Sequence, residues 1–217
     1  MFMRKIFGAV ALTALSATVL MAGTAIPGVK GGTRSFKTNN SVGKNAIAFV
    51  SDAPAEKING TADQLTGSFQ LDPSNLEATK GRLSVDVKSM KTANSKRDEH
   101  MYSPMWLDAD AHPQISYDIQ NLTDIKIVDQ GGRKVATAKA NGIFTCHGVS
   151  KPLAAEVTIT FLPASDETKK RASGDLVMVK AVFNVALKDY NITGKAGVVG
   201  KSVGETIAVE ASVFANS

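Results

Sequence analysis

Strict alternation of apolar and polar residues, repeated in segment after segment, constrains this chain more than any other feature. Leu83, Val85 and Val87 alternate with Ser84, Asp86 and Lys88; Ile115, Tyr117 and Ile119 with Ser116, Asp118 and Gln120; Val157, Ile159 and Phe161 with Glu156, Thr158 and Thr160. Leu65, Phe69 and Leu71 keep the pattern around Gly67. Towards the end, Val177, Val179, Ala181, Phe183, Val185 and Leu187 share one face, and Ile207, Val209, Ala211 and Val213 another. Successive side chains of a strand point to opposite faces, so each segment has one dry side and one wet side. Turn signals separate the segments: Asp72-Pro73-Ser74-Asn75, Asp129-Gln130-Gly131-Gly132, His147-Gly148, Pro163-Ala164-Ser165-Asp166 and Gly200 to Gly204. Helical periodicity is nearly absent. The expected fold is all-β, an eight-stranded antiparallel up-and-down barrel, because closure removes exposed strand edges. A two-sheet sandwich fits the same periodicity.

The first 25 residues stand apart from that pattern. Arg4 and Lys5 precede an apolar run from Ile6 to Ala22, and Gly23-Thr24-Ala25 offers the small residues that a signal peptidase reads. This predicts a signal peptide over 1–25, cut after Ala25, ahead of one domain over 26–217; the alternative is an uncleaved anchor, since Ile6 to Val29 is uncharged and long enough to span. Without residues 1–25 the chain keeps 23 basic against 20 acidic residues. Such a weak, dispersed excess gives no reason to expect nucleic acid as a partner. A single Cys excludes an intrachain disulfide framework and four-thiolate metal sites. Export without disulfides points to a periplasm or an extracellular space.

Between Lys91 and Pro113 the alternation stops. Ser95 is placed to cap a short helix with Asp98 and Glu99 near its start, and Pro104 ends it, with a second turn beginning there. Met101, Met105, Trp106 and Leu107 then form an apolar group holding the only Trp. The segment reads as a helical plug across one barrel mouth, either a lid over the core or a gate, with Arg97, Asp98 and His100 as its polar braces. His147 before Gly148 suits a tight hairpin turn. The three His lie on separate turns, so no metal site is expected. Cys146 and His147 are strand neighbours pointing apart, which argues against a nucleophile–base pair. Asp108 and Asp110 raise the question of paired acids, which a solvated turn answers equally well. No Ser/His/Asp arrangement, nucleotide-binding glycine loop or metalloprotease helix is present.

These residues also carry a family resemblance. Arg97-Asp98-Glu99-His100-Met101, Trp106-Leu107-Asp108 and His112-Pro113-Gln114-Ile115 resemble the signature of the YceI-like family, and Gly142-Ile143-Phe144-Thr145-Cys146-His147-Gly148-Val149-Ser150-Lys151-Pro152 resembles its hairpin. Gly67-Ser68-Phe69-Gln70-Leu71-Asp72-Pro73 and Ser89-Met90-Lys91-Thr92 fit as well, so the likeness spans roughly residues 34–214. It departs at Asn45 to Gly60 and at Leu187 to Ile192. The resemblance implies a lipocalin-like barrel, exported to the periplasm, that binds long isoprenoid or fatty lipids.

The leading expectation is therefore a non-enzymatic periplasmic carrier of a long apolar lipid, an isoprenoid quinone, polyprenyl lipid or fatty chain, with no cofactor beyond that ligand. Its lining would be Leu83, Val85, Val87, Ile115, Tyr117, Val157, Ile159, Phe161, Phe183, Val185 and Leu187, with few aromatics to fill the space. Its gate would be Arg97, Asp98, His100, Met101, Met105 and Trp106. The alternative is a filled barrel serving as an interaction or stress-response module, with a partner such as a membrane cytochrome. An enzyme acting on a lipid or small amide through His100 and His147 is the third class.

Overall fold

The computed structural model describes residues 23–131 and 133–217. The basic start and apolar run of the expected signal peptide lie outside the described residues. The chain forms strands β1 (Arg34–Thr38), β2 (Ala46–Asp52), β3 (Lys57–Ala62), β4 (Leu65–Asp72), β5 (Asn75–Asp86), β6 (Gln114–Gln130), β7 (Arg133–Cys146), β8 (Val149–Leu162), β9 (Leu176–Ala186) and β10 (Thr206–Asn216), with helix α1 (Ser95–Tyr102) between β5 and β6. All pairings are antiparallel, in the order β1-β4-β5-β6-β7-β8-β9-β10-β2-β3, and β1 also pairs with β10. Eight strands thus close a barrel, as the alternation predicts. These eight follow one another around the barrel in chain order, up and down as expected; the β2–β3 hairpin, inserted in sequence between β1 and β4, adds two strands on the open edge of β10.

Closure is made at a seam. β10 pairs along its full length with β9, from Thr206↔Ala186 to Asn216↔Leu176. Its other edge is shared, with β2 taking Ile207 to Ser212 and β1 taking Ala215 and Asn216. Between the two partners, the Phe214 N–H donates to Asn45 Oδ1 at 2.7 Å, and the Phe214 carbonyl accepts from Asn39 N at 2.8 Å. Asn45 is buried and is held in turn by Asn40 Oδ1, which accepts from both its backbone and side-chain nitrogens at 3.0 Å. The β1–β2 loop therefore supplies the hydrogen bonds that the sheet cannot, where β10 changes neighbour.

One barrel end is packed shut. Phe36 is fully buried, stacked on Phe69 at 5.5 Å and edge-on to Phe161 at 6.2 Å, with the Arg34 guanidinium over the Phe161 ring. The scarcity of aromatics does not leave this end open, because three phenylalanines interlock there. The outer face carries ordinary ion pairs. The basic run at residues 169–171 is a solvated turn, as expected, in which Lys169 pairs with Asp166 at 3.4 Å and Lys170 with Glu167 at 2.7 Å.

Two alternating patterns run past the ends of their strands. Val87 and Leu187 keep the period, yet each opens a 3-10 turn, Val87–Ser89 and Leu187–Tyr190, as the chain leaves the sheet. The helix cap is Asn94, whose side chain accepts from Arg97 N at 3.1 Å, rather than Ser95. Past α1, residues 103–111 form irregular turns and no second helix.

The seam gives a direct test of closure. Asn45→Ala strips the buried Phe214 N–H of its acceptor and should cost about 1–3 kcal/mol, whereas Met105→Ala, at a residue 60% exposed, should stay within about 0.5 kcal/mol. Urea unfolding of the two variants measures the contrast.

Candidate functional site

The inward face of the barrel encloses an apolar cavity of about 110 Å³. Its position follows from side-chain size. At one level, Ala138 pairs with Val157, Val157 with Ala181, Ala181 with Ala211, and Ala211 with Ile47, so five neighbouring strands present small or medium side chains together. Ala140 opposite Ala155 repeats the arrangement on β7 and β8. Of the expected lining, Leu83, Val85, Ile115, Tyr117, Val157, Ile159 and Phe183 do face this cavity. Leu83, Ile115, Tyr117 and Phe183 remain only half-buried although they point inward, the mark of a barrel interior that its own side chains do not fill.

Four expected lining residues sit elsewhere. Phe161 belongs to the aromatic stack of the closed end. Val87, Val185 and Leu187 are buried with Leu107, Ala109, Phe144 and Tyr190 in a second apolar cluster beneath the α1 segment. Lining residues absent from the expected set include Ala140, Ala155, Phe144 and Ala211. The first two lie on β7 and β8 in runs too poor in large apolar groups to stand out, yet their smallness is what leaves the space.

Tyr117 marks the boundary between the two apolar clusters and packs against both. Its hydroxyl stands 2.6 Å from the Ala140 carbonyl and 2.9 Å from that of Leu153. Burial pushes its phenol up to about 12, so it stays neutral. Gly142 makes the ring's position possible, since a Cβ there would lie 2.8 Å from Tyr117 Cζ.

Towards α1 lies a second cavity of about 500 Å³, the mouth. Phe49, Ile58, Met101, Trp106, Leu187 and Ile207 give it an apolar wall, while Lys96, Arg97, His100 and Lys195 bring positive or titratable groups to its edge. The brace expected of Arg97 and Asp98 is present, but it works through Thr92. Buried Asp98 accepts from Thr92 N and Oγ1 at 2.8 and 2.7 Å, and Arg97 donates to Thr92 Oγ1 and its carbonyl, each at 2.9 Å, while also pairing with Glu56. The Tyr102 hydroxyl donates to the Met90 carbonyl, and Trp106 lies against Gly194 on the β9–β10 loop. His100 is exposed and takes no part in the brace. Met105 also departs from expectation: it projects into solvent instead of joining the plug. The segment covers the mouth without filling it.

The remaining candidates resolve simply. His147 and Gly148 have φ of 50° and 72°, a tight hairpin turn as expected. Asp110 pairs with Lys88 at 2.7 Å, which holds its carboxyl below the usual range, and it does not act with Asp108. Cys146 is buried, and burial pushes its thiol up to about 12, which leaves no thiolate nucleophile. One expectation is overturned. The three His do not stay apart, because His112 and His147 meet edge to face at 5.3 Å beside Asp108. The fold folds residue 112 back over the β7–β8 turn, a convergence that sequence separation conceals.

The comparisons with known proteins agree with this architecture. The family model of the YceI-like domain matches residues 38–215. A UPF0312 protein of Yersinia enterocolitica is 28% identical over 151 residues, covering 70% of this chain and 71% of the relative. Protein YceI of Salmonella arizonae is 28% identical over the same length, covering 70% and 72%. Among solved structures, BcnA of Burkholderia cenocepacia superposes with a TM-score of 0.63 at 15% identity, over 82% of this chain and 98% of that one. A polyisoprenoid binding domain from Saccharophagus degradans superposes with a TM-score of 0.56 at 14% identity, over 84% and 98%. At such identities the superpositions speak for the fold.

The two buried acids give an alkaline signature. Folded Cys146 and Tyr117 keep their protons to about 12, above the ordinary 9.0 and 10.0 of a thiol and a phenol. The folded state therefore binds more protons between those limits, and stability is full below pH 9 and lost as pH rises towards 12. Circular dichroism across that range should show alkaline unfolding, and a thiol reagent at pH 8 should label Cys146 only after denaturation.

Proposed function

Because the chain belongs to the YceI-like domain family, we propose that it binds a long apolar lipid, seated with its tail in the barrel and its polar end at the mouth. The observation that carries this reading is the apolar interior cavity behind a mouth of about 500 Å³ with cationic residues on its edge. The naming of the Saccharophagus degradans neighbour as a polyisoprenoid binding domain supports the same ligand class. Isoprenoid quinones, polyprenyl lipids and fatty chains all suit an apolar lining with few polar anchors.

The volumes specify how such a ligand would enter. The mouth falls within the ~300–1,000 Å³ of ordinary ligand sites. The inner cavity, about 110 Å³, is smaller than the ~150 Å³ space that holds one benzene. A long chain therefore seats in the mouth first and displaces the half-buried Phe183, Ile115 and Tyr117 side chains as its tail goes deeper. Each methylene withdrawn from water contributes about 0.8 kcal/mol, set against the cost of association and of ordering the chain. No reaction is needed for this role. His100 stands at the mouth edge while His147 packs against His112, so the two candidates for an enzymatic reading serve different places.

The proposed setting is the periplasm, reached by export through the segment 1–25. A cut after Ala25 suits the fold, because Ile26 is the first buried residue among the described ones and its nitrogen donates to the Pro73 carbonyl at 2.7 Å. Such a cut would remove the bonds of Thr24 to Glu77, and the mass of the exported chain reports whether it occurs.

Protein purified from its own host should carry a bound apolar mass at one per chain in native mass spectrometry. Phe183→Asp, which places a carboxylate in the cavity, and Ala181→Phe, which fills it, should each abolish the bound mass while circular dichroism stays unchanged. Host-derived protein without lipid would overturn the carrier reading and favour a filled barrel that meets a protein partner such as a membrane cytochrome.

A further inference from the structure

His112, His147 and Asp108 converge at a place that lines neither cavity. Each residue is half-buried, and one donor atom from each lies within 4.8 Å of the other two. Two independent segments supply them: Asp108 and His112 come from the turns after α1, and His147 from the β7–β8 turn. The His112 N–H donates to the Asp108 carbonyl at 2.7 Å, so a single turn brings both side chains to the same side.

The surroundings set the chemistry of the set. His147 Nδ1 stands 3.0 Å from the Tyr190 carbonyl. A carbonyl only accepts, so Nδ1 carries the proton and the neutral ring offers its Nε2 lone pair outward, the tautomer a metal ligand requires. Tyr190 is itself buried and packed edge-on against Phe144 at 5.4 Å, which fixes that carbonyl. His112 reaches its position only because residue 148 is glycine: a Cβ there would lie 2.6 Å from His112 Cε1, and φ is +72°. Asp108 and His147 both hold left-handed backbone, with φ of 45° and 50°, a region in which Asp and His are several-fold enriched. The only hydrogen bond to the Asp108 carboxylate among the described residues is a 3.5 Å contact from Ala111 N. Its oxygens are thus left to face two imidazoles.

We propose that Asp108, His112 and His147 form a binding site for a borderline divalent transition-metal ion such as Zn²⁺, which staples the mouth segment to the β7–β8 turn. Two imidazoles and a carboxylate suit Zn²⁺ and its neighbours, whereas Mg²⁺ and Ca²⁺ prefer all-oxygen sets. With metal–ligand bonds of about 2.0–2.2 Å in tetrahedral geometry, two donors on one ion stand roughly 3.3–3.6 Å apart, so binding draws together a set that now lies within 4.8 Å. Water completes the coordination. The ion would join Asp108 and His112 to a hairpin that otherwise meets their segment through ring contact and apolar packing, and so restrain the cover of the mouth.

The test uses untagged full-length protein, stripped with EDTA and dialysed, then titrated with ZnCl₂ at pH 7.5 by calorimetry and thermal unfolding. One Zn²⁺ per chain and a saturable rise in Tm are expected. Asp108→Asn and His147→Asn, which tolerate the same backbone, should each weaken binding at least about tenfold. The double variant His112→Asn/His147→Asn keeps His100 and Cys146 and should not bind. Absence of Zn²⁺ binding by the wild type, undiminished binding by the folded double variant, or an equal response to Mg²⁺ would overturn the assignment.

Discussion

The architecture depends on one strand edge having to serve two neighbours. β10 is paired throughout by β9, and its opposite edge is divided between β2 and β1. Were β1 long enough to cover the whole edge, the barrel would be a uniform tube. Instead, β1 closes only the end nearest the aromatic stack, and β2 carries the wall outward at the other end and folds back as β3. The gap this leaves beyond β3 is bridged by Lys91, which exchanges backbone hydrogen bonds with Thr61 at 2.7 and 2.8 Å. The same division that makes the seam therefore makes one tight end and one flared end. The mouth is a consequence of topology before it is a consequence of side chains.

Side-chain volume then decides what the tube contains. Towards the tight end, Phe36, Phe69 and Phe161 interlock and leave no room. At mid-height the band from Ala138 through Ala181 and Ala211 withdraws the wall. Protein interiors are close-packed, and a void costs the dispersion contacts its lining would otherwise make. A row of alanines that shares the cavity lining with half-buried Phe183 and Ile115 forgoes those contacts in the free protein. The deficit is recovered when apolar atoms enter. Site and strain on packing are thus the same feature, and the rigid aromatic end keeps the loss from spreading through the core.

How much of this the sequence discloses varies with the kind of signal. Period-two runs of large apolar residues marked β4, β5, β6, β8, β9 and β10, because each strand must bury one face and solvate the other. β7 was marked only at its closing hairpin, since Ala136, Ala138, Ala140 and Gly142 give alternation little hydrophobic contrast. Periodicity also overshot. Val87 and Leu187 are buried like strand residues and their N–H groups still donate to the Pro113 and Glu205 carbonyls at 2.9 Å, but each opens a 3-10 turn, and burial pattern alone does not record that change of backbone. Cavity residues were legible as inward-facing, yet not as open rather than packed, because Phe161 and Phe183 share one pattern and differ only in what stands opposite. The His112–His147 meeting was illegible for a simpler reason: 35 positions separate two turns that only the closed barrel superimposes.

The cover of the mouth is attached by joins of unequal strength, which bears on how anything passes it. The base of α1 is held by a buried carboxylate that accepts two hydrogen bonds from Thr92 and by an arginine bonded to the same residue. Breaking that set would leave Asp98 charged and unpartnered in the interior, a heavy penalty. Tyr102 adds a hydrogen bond to the Met90 carbonyl. By contrast, Trp106 meets the β9–β10 loop at Gly194 through ring-to-backbone packing, and the imidazoles of His112 and His147 meet through ring edges. Apolar packing is non-directional and yields to an apolar intruder that replaces its contacts, whereas buried polar bonds do not. The cover is therefore held by buried polar bonds at the Thr92 brace and by packing where Trp106 meets the β9–β10 loop.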